Sequence, residues 1–92
     1  MELILSELKR GRASDARLKM LLEQLEVLSH TSGAAAYNLA AALHGAFPGV
    51  PQDTEASAIA YARALTLLLP DPSSRERDLM LLGSVSALGY AL

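Results

Sequence analysis

Apolar residues recur along the chain at the three- and four-residue spacing of a helical face, in segments separated by glycine, proline and capping residues. Met1 to Lys9 reads as a short amphipathic helix carrying Leu3, Ile4, Leu5 and Leu8, with Gly11 as its terminator. Ser14 is set as an N-cap, Asp15 adds a favourable negative charge to the first turn, and a helix follows to about Ser29. Its apolar stripe is Leu18, Leu21, Leu22, Leu25 and Leu28, widened by Met20 and Val27, with Lys19, Glu23, Glu26 and His30 on the solvated side. Asp53 starts another helix, running to about Leu69. Its core side holds Ala58, Tyr61, Ala62, Leu65, Leu68 and Leu69, and Glu55, Arg63 and Thr66 point to water. Ser73 with Glu76 forms a capping-box pattern for a last helix, whose stripe is Leu81, Leu82, Val85, Leu88 and Leu92.

The stretch that organises the rest runs from Ser32 to Pro48. It is nearly pure alanine and lies in an interval, Glu26 to Asp53, that contains no other Asp, Glu, Lys or Arg. Ala36, Leu39, Ala40, Leu43 and Phe47 share one helical face, Thr31 or Ser32 supplies the cap, and Gly45, Phe47, Pro48 and Gly49 supply the end. Because the opposite edge is also small and uncharged, this helix is expected to be central and packed on more than one side.

Composition narrows the class. A chain of 92 residues makes one domain, 1–92, which buries roughly 60–70% of its unfolded surface. The hydrophobic fraction is 51% with little aromatic content and no Trp, so the interior is built from leucine and alanine. The fold expected is all-α, a bundle of four to five short helices. A formal charge of -2 gives no electrostatic footprint for nucleic acid. Without cysteine there is neither a disulfide framework nor thiolate chemistry. The acidic start, Met1 to Glu7, lacks the basic region of a secretory signal, and no run reaches the ~20 apolar residues that cross a bilayer. A cytoplasmic protein without a membrane partner is expected.

Candidate chemistry is sparse. His30 falls on the charged line near a helix end, where it interacts with terminal carbonyls. His44 follows Tyr37 by seven residues, so the two lie on nearly the same side of the alanine helix and either line a recognition edge or hold structure. Two histidines without cysteine do not build a zinc site unless distant carboxylates join. No serine has a nearby His-Asp arrangement. Lys9, Arg10, Arg12, Arg17 and Lys19 are matched by Glu2, Glu7, Asp15, Glu23 and Glu26, with no interleaved aromatic, and read as a solvated corner. No catalytic, cofactor-binding or metal-binding residue is assigned, and no cofactor is expected.

Tyr37-Asn38-Leu39-Ala40-Ala41-Ala42-Leu43 and Tyr61-Ala62-Arg63-Ala64-Leu65-Thr66-Leu67-Leu68-Leu69-Pro70 together resemble the two helices of a tetratricopeptide repeat. Leu79-x-x-Leu82-Gly83 is similar to the opening of a following repeat. The match covers about a third of the chain; the loop from Gly45 to Gln52 is longer than that repeat allows and Pro70 falls one residue late. An antiparallel bundle with alanine-rich seams produces similar residues. The resemblance implies a helical hairpin that holds a peptide or helix in a groove, as in small bacterial secretion chaperones, including those guarding type III needle subunits.

The expectation is a non-catalytic protein–protein interaction module, a small adaptor or chaperone that binds a partner helix or peptide or self-associates through apolar helix faces. The alternative is a small regulator or inhibitor of a larger protein complex. Tyr37, Asn38, His44 and Tyr90 are the candidate orienting residues, and Leu88 and Leu92 the candidate apolar contacts.

Overall fold

Four of the five helices among the described residues begin where a side-chain oxygen takes up an otherwise free amide. The computed structural model describes residues 1–91, with side-chain burial through residue 89. Its helices are α1 (Glu2–Arg10), α2 (Asp15–Ser29), α3 (Gly33–Leu43), α4 (Thr54–Leu68) and α5 (Arg75–Ala91). Ser14 Oγ accepts from Arg17 N at 3.2 Å, Ser32 Oγ from Ala35 N at 3.1 Å, and Asp53 Oδ1 from Ala56 N at 3.0 Å. α5 departs from the expected capping box: Ser74 Oγ, not that of Ser73, accepts the helix amide, from Arg77 N at 3.1 Å. Ser73 instead donates to Asp78 Oδ2 at 2.9 Å.

The alanine helix ends earlier than its sequence pattern suggests. Gly45 adopts φ 99°, its amide donates to Ala42 O at 3.3 Å, and the Ala46 amide reaches Ala41 O at 3.0 Å. This is the paired-bond termination that a left-handed residue allows just past a helix end. Phe47 therefore leaves the helical face and packs, half-buried, against the core from the loop.

α3 is the centre of an all-α bundle. No residue from Gly33 to Leu43 is exposed. α4 lies antiparallel along it in the most extensive helix pairing, with Gly33 facing Leu68 and Leu43 O accepting from Asp53 N at 2.9 Å. Between these ends, the buried Ser57 hydroxyl donates to Ala40 O at 2.8 Å. Small side chains permit this approach: a Cβ on Gly33 would sit 2.6 Å from Leu68 Cγ. α2 covers another flank through Leu21 and Leu25, which share a core cluster with Ala35, Leu39 and Ala42. α1 adds Leu8, and Glu7 holds it to α2 through a two-point ion pair with Arg17, whose Nε lies 2.9 Å from Glu7 Oε2. No helix among the described residues is long and apolar enough to cross a membrane.

Several faces turn differently from the expected stripes. α4 buries the narrow ridge Ser57, Ala60, Tyr61, Ala64 and Leu68, so Ala62 and Leu69 face outward. Arg63, expected in water, is half-buried and clasps α2, with Nη1 donating to Ser29 Oγ at 2.8 Å and to Glu26 Oε1 at 3.2 Å. Met20 and Val27 do not widen the core face of α2; both are exposed, and Leu28 is on its margin. α5 turns Ser84 fully inward, its hydroxyl donating to Met80 O at 2.8 Å. Leu81 and Leu88 are half-buried, whereas Leu82 and Val85 point outward at 65% and 57% exposure, beside Leu79 at 56%. Small Ser84 lets α5 come close to its neighbours, which leaves its larger residues on the far side.

Candidate interaction groove

An open groove of about 520 Å³ runs between α2, α3 and the loop 44–53. Leu18 and Leu22 on α2 and Leu39 and Leu43 on α3 form its floor. Each pair is spaced by four residues, so each stands one above the other on its helix. Leu39 is buried and the other three leucines are half-buried. The loop closes one end with Gly49 and Pro51, and the buried Val50 anchors that loop in the core.

The two rims differ in charge. Along α2 stand Asp15, Lys19, Glu23 and Glu26, whereas the residues that line the groove from α3 and the loop, Leu39, Leu43, Gly49 and Pro51, are uncharged. Glu26 is engaged by Arg63 and lies 3.4 Å from His30 Nε2. The floor presents no nucleophile or acid–base pair, so the groove is suited to taking up apolar side chains.

The six residues singled out by sequence lie elsewhere or beyond description. Tyr37 packs edge-on against Tyr61, ring centroids 5.9 Å apart, and its hydroxyl abuts Gly83 of α5, where a Cβ would come within 2.8 Å. His44 also meets Tyr61 edge-on, 6.3 Å between centroids, so Tyr37 and His44 belong to one aromatic cluster. Tyr61 is buried, and its burial, with Tyr37 adding to the effect, raises its phenol above the ordinary value. Asn38 Nδ2 turns back to Ala34 O at 2.8 Å. Leu88 packs half-buried on the core. The Tyr90 side chain and Leu92 lie outside the described residues. Tyr37 and Asn38 also line a shallower depression of about 440 Å³ with Met1, Leu79 and Met80.

Several other polar groups are occupied by structure. Arg77 donates to Leu68 O at 3.0 Å and Leu69 O at 2.8 Å, closing the end of α4, and also to Asp78. It lines a cleft of about 470 Å³ where α3 and α5 begin, alongside Asp71 and Glu76. Buried Ser29, Ser57 and Ser84 each donate their hydroxyl to a backbone carbonyl. Among the described residues, no group of three or more His, Asp or Glu is placed to hold a metal ion.

The groove leucines were legible as apolar but not as a site. Four-residue spacing is the same whether a leucine lies beneath a neighbouring helix or at the open edge between two, and only the relative placement of α2 and α3 distinguishes them. Comparison of the chain with protein-family models, with curated proteins and with solved structures found no match.

Proposed function

We propose that this protein is a non-catalytic interaction module, a small adaptor or chaperone that receives a helix or peptide of a partner protein in the groove between α2 and α3. The observation that carries the reading is the row of four leucines, three of them half-buried, along an open channel of about 520 Å³. Helix-in-groove association uses such a surface, with apolar anchors at helical spacing entering between two fixed helices. The antiparallel α3–α4 pair, on which the tetratricopeptide-like resemblance rests, serves in this reading as the rigid backing of the groove. The cysteine-free composition is in keeping with work in the cytoplasm.

Site-specific photocrosslinking in cells tests this. A photoreactive residue replacing Lys19, on the groove rim, is expected to trap a discrete protein adduct. The same residue replacing exposed Glu55, on α4, is expected not to trap it. Equal trapping from both positions, or from the Glu55 position alone, would assign the interaction to another surface.

A further inference from the structure

We infer that the helix received by the groove is a cationic amphipathic one, its apolar edge on the leucine floor and its basic edge along α2; this rests on the groove being the interaction site. Charge placement carries the inference. The α2 rim sets Asp15, Lys19, Glu23 and Glu26 within one stretch of helix, three carboxylates against one ammonium, while the residues that line the groove from α3 and the loop, Leu39, Leu43, Gly49 and Pro51, are uncharged. Glu26 already serves Arg63. Asp15 and Glu23 make no side-chain hydrogen bond or ion pair among the described residues, and Lys19, four positions from each, offsets only part of their field. A guest with lysine or arginine on its α2-facing edge and none on the other side complements both rims. From Asp15 to Glu26 the rim spans about 17 Å, enough for roughly three turns of a guest helix.

A second copy of this chain matches less well. The outward face of α5 offers Leu79, Leu82 and Val85, but its one exposed base, Arg75, is offset by the neighbouring acids Glu76 and Asp78, so the face has no net positive charge to answer Asp15 and Glu23. The outward face of α1 has bases in Lys9 and Arg10 but a single large apolar residue, Leu3, at its other end.

Two synthetic helical peptides test the inference. Both carry leucines at positions i, i+3, i+4 and i+7; one bears lysines beside that stripe and the other glutamates. Fluorescence anisotropy gives their affinities, and methyl NMR reports on Leu18, Leu22, Leu39 and Leu43. The lysine peptide is expected to bind about five- to tenfold more tightly at low salt and to lose that advantage as salt screens the rim. Glu23→Lys should remove or invert the preference, whereas Glu55→Lys, the same change in net charge away from the groove, should leave it in place. Equal affinity of the two peptides, with all four leucines shifted, would overturn the cationic guest and leave the groove reading standing. A lysine preference erased equally by both variants would reduce it to net charge and overturn it. Failure of both peptides to move the leucine signals would overturn the groove as a docking site. Concentration-dependent shifts of those leucines without peptide would give the groove to a second copy and also overturn the proposal.

Discussion

Helix α3 leaves no residue exposed from Gly33 to Leu43, whereas α5, equally free of charge beyond Asp78, leaves Leu79, Leu82 and Val85 more than half in water. Lack of charge therefore does not decide which apolar helix becomes central; side-chain size does. Alanine and glycine on every side of α3 let α4 and α2 approach its backbone closely, and Tyr37 carries the contact outward to α5. α5 has a close-approach surface on one side only, at Gly83 and Ser84, and its leucines elsewhere hold further neighbours off.

The most direct way to break this comparison is to give α3 a large side chain. Ala40 is fully buried, and its carbonyl accepts the Ser57 hydroxyl, so there is no slack between α3 and α4 at that level. Ala40→Leu is expected to cost about 1–3 kcal/mol through overpacking, read as a lower urea midpoint with an unchanged slope. An unchanged midpoint would mean that the seam is loose and that α3 owes its position to something other than size.

Acid sharpens the comparison at the periphery. α3 holds no carboxylate, so a fall in pH reaches it only through the helices that cover it. The hydrogen-bonded Arg17 guanidinium holds the Glu7 carboxyl below its ordinary value of 4.5. The folded value is the lower one, so the stabilisation from this pair is complete above the unfolded value and is lost as pH falls through the folded value. Protection of the α1 amides around Leu8, taken relative to the intrinsic exchange rate at each pH, is expected to fall over that window before protection in α3 does, and Glu7→Gln should remove the dependence. Simultaneous loss of protection in both helices would show that α1 is not a separable cover.

Much of this architecture was legible beforehand, and the failures share a cause. Ser14, Asp53 and Gly11 mark helix ends through local backbone chemistry, which needs no knowledge of neighbours, and all three act as expected, while of the two candidates Thr31 and Ser32 it is Ser32 that caps α3. The central place of the alanine helix was legible too, because a segment without charge or bulk must be covered. Which edge of a wide apolar face turns inward was not. Arg63 reads as a solvated residue until α2 supplies Glu26 and Ser29, and Ala62 and Leu69 read as core until the small residues of α4 take the contact with α3. The groove suffers the same ambiguity: Leu18, Leu22 and Leu43 fit a core stripe, and their half-buried position shows only once α2, α3 and the loop are set around the open groove.

The smallest expected effect tests the other half of the comparison. Leu82→Ala removes the same kind of side chain that would be costly to lose from the interior, but here 65% of the residue is already in water. Little transfer free energy is lost, no enclosed cavity forms, and alanine is the better helix former, so the stability change is expected to stay within about 0.5 kcal/mol. Chemical denaturation at two protein concentrations makes the measurement diagnostic, because a folded monomer has a midpoint independent of concentration whereas an associating face stabilises by mass action. A loss of about 2 kcal/mol or more at high concentration only, vanishing on dilution, would mean that α5 is covered on both faces by another chain. The contrast with α3 would then lie in what does the covering, this chain or a neighbour, rather than in how much of each helix is covered.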